Sequence, residues 1–200
     1  MRPVLTLIAT LFCGASLCAA QASAPTSTPA HATRTIPSGL NFSYDAQHDQ
    51  INTAGMQMKA HSQSSPTVSP TTGTITVTLN IKLASHFPRK TQIHCSLTAI
   101  GGQIDILTGS FDGGIETANA ASWDSNSGTA TCTLVIPYSW SLPQDPASAN
   151  GLILAFGASA VNRPDNADKN DVYRSTLQVD GIENLPANGG SAAFVFDVAL

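Results

Sequence analysis

Two cysteines are the residues of this chain with the widest choice of chemistry. Cys95 and Cys132 lie in "TQIHCSLTAI" and "ATCTLVIP", where aliphatic residues alternate with polar ones. A zinc site would need further Cys or His ligands at short spacing, and the neighbouring His94 points to the opposite face of an extended strand. A nucleophile would need a free thiolate. The pattern therefore favours a disulfide between Cys95 and Cys132, which would stabilise the fold by about 3 to 4 kcal/mol.

The N-terminus predicts export, and with it the oxidising compartment that such a disulfide needs. Arg2 is followed by the apolar stretch "VLTLIATLFCGASLCAA" and by "AQA", a small-x-small pattern typical of signal peptidase sites. We predict a signal peptide over residues 1–22, with cleavage near Ala22, and a secreted or periplasmic mature chain. The apolar stretch is shorter than the roughly 20 residues of a membrane-spanning helix, so no transmembrane span is predicted.

The charge content argues against one class of partner. Charged residues make up 11% of the chain, against about 25% in an average soluble domain. The nine basic and thirteen acidic residues give a net charge of −4, and the basic ones form no stripe that could neutralise phosphates. We therefore expect no nucleic-acid partner. The surface should consist mainly of Thr, Ser, Asn and Gln.

Alternating apolar residues predict the elements that carry the cysteines. "GTITVTLNIKL" from residue 73 alternates aliphatic residues with Thr, Asn and Lys, as expected of a strand with one solvated face. Similar runs recur about every ten residues up to the terminal "SAAFVFDVAL", and Gly or Asn clusters such as Gly101-Gly102 and Gly113-Gly114 separate them. Residues 152–156 are apolar on both parities, which indicates a strand covered on both sides or interrupted by a bulge.

These runs predict an all-β fold. The expected architecture is an antiparallel β-sandwich of seven to nine strands, with residues 36–200 as one domain whose pattern is clearest from about residue 73. Residues 23–35, "SAPTSTPAHATRT", have almost nothing to bury and are predicted to be a disordered linker.

Two resemblances follow from these features. With Cys95, Cys132 and Trp123, the chain resembles immunoglobulin-like domains of the Greek-key type in architecture, which implies two facing sheets joined by the disulfide. It is also similar to pilins assembled by chaperone and usher in its exported sandwich, single disulfide and alternating C-terminal "AAFVFDVAL". That similarity implies a fibre subunit, although the leader "APTSTPAHATRT" does not alternate as a donor strand does.

Two further candidate binding sites stand apart from the cysteines. "RPDNADKND" gathers the hard oxygen donors of Asp165, Asp168, Asn170 and Asp171, which suit calcium; a polar hairpin loop explains the same residues. Trp123, beside the polar turn "DSNSG", is the candidate ring for stacking on a glycan. Apart from calcium, no cofactor is predicted.

No reaction is predicted from the sequence. It contains no G-x-S-x-G elbow, no H-E-x-x-H pair and no phosphate-binding loop. We therefore expect a secreted, non-enzymatic sandwich that has a structural role or binds an extracellular protein or glycan. The alternatives are a pilus-like fibre subunit and a glycan- or calcium-binding module.

Overall fold

The alternating segments form strands, and no helix occurs among the described residues. The computed structural model describes residues 39–55, 57–58, 70–83, 87–88, 91–105, 110–120, 128–142, 150–162, 171–182 and 185–200. The strands are β1 (Asn41–Asp45), β2 (Gln50–Ala54), β3 (Gln57–Met58), β4 (Thr71–Lys82), β5 (Gln92–Asp105), β6 (Ser110–Ala120), β7 (Thr129–Trp140), β8 (Gly151–Asn162), β9 (Asp171–Ile182) and β10 (Gly190–Ala199). The predicted signal peptide and linker lie outside the described residues.

The strands are arranged in three sheets. One sheet has three strands in the order β10-β4-β7, a second has five in the order β3-β6-β5-β8-β9, and β1 and β2 form a separate hairpin. The all-β prediction is confirmed. The described residues contain ten strands, however, against seven to nine predicted, because the two-residue strand β3 and the short hairpin strands were too weak to count from their pattern.

The pairing is mixed, and in this respect the prediction of a uniformly antiparallel sandwich was wrong. β10 runs parallel to β4 along ten residue pairs, and β3 runs parallel to β6. Parallel neighbours need a long connection. The chain between β4 and β10 is such a connection, because it contains all the other long strands. The sequence could not predict this pairing, because alternation within one strand carries no information about the direction of its neighbour.

The disulfide joins the two larger sheets. Cys95 on β5 is bonded to Cys132 on β7, with 6.4 Å between the two Cα atoms, and this confirms the predicted pairing. Both residues are fully buried. They lie in one apolar cluster with the inward residues of both sheets, among them Ile75, Leu97 and Leu134. The two sheets therefore face each other across a single core.

β8 is the strand with two covered faces. All of its residues from Gly151 to Val161 are buried. Leu152, Leu154 and Phe156 pack into the core between the sheets, while Ile153 packs on the other side against residues of the β1–β2 hairpin. The pairing of β8 with β9 also shifts register between Ala160 and Val161. Of the two alternatives that the sequence left open for residues 152–156, coverage on both sides is the one found, because the register shift lies beyond them.

Four glycines that were predicted to separate strands lie inside a hairpin instead. Gly101 pairs with Gly114 and Gly102 with Gly113, in the middle of β5 and β6. The reason is the indole of Trp140 on β7: a Cβ atom at Gly101 or Gly114 would collide with its ring. Glycine within a strand marks such a close approach. The parity of β7 places Trp140 inward, but the ring's position above two glycines depends on how the sheets stack.

We predict that Gly114→Ala destabilises the protein. The new methyl group would force the buried Trp140 ring out of its position, and overpacking of this kind costs about 1 to 3 kcal/mol. Urea unfolding should show the loss as a lower midpoint. Gly39→Ala is the matched control, because a Cβ atom there has no heavy atom within 4 Å. Equal midpoints for the two variants would contradict the assigned packing.

Candidate functional site

The β1–β2 hairpin covers part of the outer face of the five-stranded sheet. Leu40 and Phe42 pack against the cluster of Ile100 on β5 and Ile153 on β8, which Val179 on β9 also contacts. Leu40, Phe42 and Tyr44 alternate in the sequence, and the apolar side of β1 therefore lies on this face. The hairpin shields from water a side of β5 that the sequence pattern of this strand alone would assign to solvent.

Local polar contacts shape the hairpin turn. The Asp45 carboxylate accepts the backbone N–H of Gln47 at 3.0 Å and lies 2.7 Å from His48 Nδ1. Such an aspartate bonded to the backbone two residues on is a common turn device. The hydrogen bond with His48 lowers the pKa of Asp45 below its usual range. The turn ends at Asp49, whose φ of 56° lies in the left-handed region, which Asp tolerates better than most residues.

This backbone conformation directs Asp49 towards the sheet. Tyr44 Oη donates to Asp49 Oδ1 at 2.7 Å. Ser96 Oγ on β5 lies 2.9 Å from the carbonyl oxygen of Asp49 and 2.5 Å from Oδ1. Ser159 Oγ on β8 is 3.1 Å from Tyr44 Oη, and it must donate there because the phenolic proton goes to Asp49. A connected network thus links the turn to two strands of the sheet.

Gly157 makes room for the ring of Tyr44. A Cβ atom at Gly157 would lie 2.9 Å from Tyr44 Cγ, so only glycine lets the ring lie this close to β8. Burial raises the pKa of Tyr44 well above its usual range, with the negative charge of Asp49 adding to the rise and the hydrogen bond from Ser159 opposing it. Tyr44 therefore keeps its proton at neutral pH and acts as a hydrogen-bond donor.

A small cleft opens beside this network. Its volume is about 230 Å³, and its walls include Asp49, Gln50 and Ile51 from the turn and from β2. Its floor comes from facing pairs on β5 and β6, namely Ser96 opposite Asn119 and Thr98 opposite Thr117. Six of these seven residues are polar: five carry a hydroxyl or amide group, and Asp49 carries a carboxylate. The arrangement can therefore hydrogen-bond a small polar ligand.

Thr98 is the unusual member of the floor. It is 2% exposed, and its Oγ1 has no hydrogen-bond partner among the described residues. Buried hydroxyl groups nearly always have a partner. An unpartnered one that lines a cleft therefore marks the place where a ligand group or water would be accommodated.

None of the residues that the sequence predicted as sites is among the described residues that line this cleft. Cys95 and Cys132 are bonded to each other in the core. Trp123, Asp165, Asp168 and Asn170 lie outside the described residues, so their binding roles stay predictions. Asp171 is the exposed first residue of β9. Within the described part of the chain, no group of three or more His, Cys, Asp or Glu could hold a metal ion.

Sequence reasoning missed the residues of the cleft. Ser96 and Thr98 alternate with inward residues, so the pattern assigns them to a solvated face; they are buried because a distant hairpin covers that face. One signal was present. The segment "YDAQHD", at the end of an alternating strand, contains two aspartates and a histidine, and this composition is typical of an ordered turn.

Comparison with protein-family models, curated proteins and solved structures finds no match for this chain. In the described ranges, no helix has the length and apolar character needed to cross a membrane.

We predict that stability falls at alkaline pH, in part through Tyr44. Its folded-state pKa is raised, so its contribution is complete below the ordinary tyrosine pKa of about 10 and is lost as the pH rises above it. Tyr44→Phe should weaken this alkaline loss, and at neutral pH it should cost about 1 to 2 kcal/mol through the lost hydrogen bonds. Denaturant unfolding at neutral and alkaline pH measures both effects.

Tyr173→Phe is the control for neutral stability, because Tyr173 is exposed on β9. If Tyr44→Phe is as stable as this control at neutral pH, the network through Asp49 and Ser159 does not stabilise the fold as described.

Proposed function

We propose that this chain is an exported, non-enzymatic β-sandwich protein with a binding or structural role at the cell exterior. The observation that carries the proposal is the buried disulfide between the two sheets. Structural disulfides persist in secreted and periplasmic proteins and are rare in the cytosol. The predicted signal peptide over residues 1–22 supports the same compartment.

The non-enzymatic part of the proposal is supported by the chemistry of the described groups. The sulfurs of Cys95 and Cys132 are bonded to each other, so neither can act as a thiolate nucleophile. Tyr44 keeps its proton, and its hydroxyl group is engaged with Asp49 and Ser159. These groups stabilise the architecture and position a carboxylate, as a binding protein requires.

The resemblance to immunoglobulin-like domains suggests how a protein of this architecture would be used. Many cell-surface domains share the architecture of two facing sheets without the same strand order. In this chain the first long strand, β4, pairs with β7 and β10 instead of β5. We propose a scaffold that, like those domains, presents a binding surface on a rigid sandwich.

Expression of the full chain in a bacterium with a periplasm tests the proposal. The product should appear in the periplasm or medium with its N-terminus just after Ala22, and mass spectrometry should find Cys95 and Cys132 resistant to alkylation until a reductant is added. The Cys95→Ala/Cys132→Ala double variant should be exported but less stable by about 3 to 4 kcal/mol. Retention of an unprocessed, freely alkylated chain in the cytoplasm would overturn the proposal.

A fibre subunit is the second candidate, and the edges of the three-stranded sheet favour it. β7 and β10 are its outer strands, and Asp197 is the one charged residue that the two contain. Long edge strands without charge are templates for pairing with another chain. The hydrogen bond from Leu83 N to Gly128 O shows which residues of β7 direct their backbone groups towards β4, because such residues alternate along an antiparallel pair. It follows that Thr131, Thr133 and Val135 direct their backbone groups away from β4.

Strand pairing between copies predicts self-association that increases with concentration. Analytical ultracentrifugation should show a rising sedimentation coefficient for the wild-type chain, and Thr133→Lys should reduce the association by placing a charge on the β7 edge. Gln178→Lys is the matched control on β9, the edge of the other sheet, where its residue is likewise exposed. A monomer at every concentration would exclude assembly through these edges.

A further inference from the structure

We propose that the cleft lined by Asp49, Ser96, Thr98, Thr117 and Asn119 binds a small, uncharged polyhydroxyl ligand of about the size of one sugar ring. The proposal goes beyond export and scaffold function, because it assigns a site and a ligand class. It does not depend on localisation, so it can fail or succeed separately from the proposed function.

The volume of the cleft limits the ligand. About 230 Å³ is less than the roughly 300 to 1,000 Å³ of pockets that enclose drug-sized molecules. A single sugar ring suits this space, and a longer glycan would enter with one terminal residue. Ile51 gives the wall one aliphatic side chain that can contact the C–H groups of such a ring.

The polar groups of the lining match hydroxyl groups. Ser and Thr hydroxyls and the Asn and Gln amides each donate and accept hydrogen bonds, as sugar hydroxyls do. Thr98 Oγ1 is buried and has no partner among the described residues, which costs free energy. A bound hydroxyl group would provide the missing hydrogen bond. Asn119, facing Ser96 across the β5–β6 pair, adds an exposed amide to the lining.

The charge of the lining argues against ions. Among the described residues, no Lys or Arg lines the cleft, so an anion would find no opposite charge there. Asp49 is the one carboxylate in this described lining, and its Oδ1 already accepts hydrogen bonds from Tyr44 and Ser96. Calcium takes six to eight oxygen ligands, with several carboxylates among them. A neutral ligand fits this set better than either kind of ion.

The site is also held in place before any ligand arrives. Asp49 is fixed by its left-handed backbone and by Tyr44 and Ser96, and Thr98 and Thr117 face each other on paired strands. Preorganised groups lose little freedom on binding. Asp49 is thus positioned to accept a hydrogen bond from the ligand without rearrangement of the turn.

Ligand-detected NMR and titration calorimetry on the purified, oxidised chain test the proposal. The probes are D-glucose, D-galactose, D-mannose and N-acetyl-D-glucosamine, with calcium chloride and sodium phosphate as separate arms. At least one sugar should bind, and Thr98→Val and Asn119→Ala should each weaken it about tenfold, the effect of one lost hydrogen bond. Thr76→Val, on the outer face of the central strand β4 of the other sheet, should bind as the wild type does.

Thermal unfolding separates binding from folding. Thr98→Val removes a hydroxyl group that has no partner in the described structure, so its melting temperature should equal or exceed that of the wild type while binding weakens. Asn119 is exposed, so Asn119→Ala should fold in any case. Absence of binding by all four sugars, binding unchanged in both variants, or binding of calcium or phosphate in place of sugar would overturn the proposal.

Discussion

The five-stranded sheet is covered on its inner face and on part of its outer face, and this constraint decides which of its polar groups are buried. Its inner face packs against the three-stranded sheet around the disulfide, and its outer face carries the β1–β2 hairpin. Hydroxyl groups of β5 and β8 beneath the hairpin are therefore buried and need partners. Ser96 and Ser159 find them in Asp49 and Tyr44, whereas Thr98, at the margin of the hairpin, opens onto the cleft.

The hairpin turn connects local conformation to this burial. Asp45 stabilises the turn through its own backbone contacts and through His48. The left-handed backbone of Asp49 then points a carboxylate at the sheet, where Tyr44 and Ser96 hold it. One short turn thereby converts a polar patch of the sheet into a concave, preorganised site.

Glycine residues leave room for a large aromatic ring at two places in the sandwich. Gly157 admits the ring of Tyr44 on the outer face, and the facing pair of Gly101 and Gly114 admits Trp140 in the core. In both cases a large ring fills the space above a strand that has no side chain there. The aromatic ring covers backbone that would otherwise be poorly packed, so the missing side chains do not leave voids.

The sequence by itself determined the all-β class, the inward faces of the long strands and the pairing of the cysteines. Alternation reports which side of a strand is apolar, and Ile75, Leu97 and Leu134 are all buried as it predicts. With only two cysteines left after the predicted cleavage, one pairing was available. These features depend on residues that are close in sequence or on a count.

Only the tertiary structure decided the parallel pairing of β10 with β4, the place of Trp140 above two glycines, and the cleft. Each depends on groups far apart in the chain, as Tyr44 and Ser159 are. Whether Thr98 faces water or a covering hairpin is set by what packs on its strand, because a polar residue has the same local pattern in both cases. The direction of a neighbouring strand likewise follows from the path of the whole chain, and no local spacing encodes it.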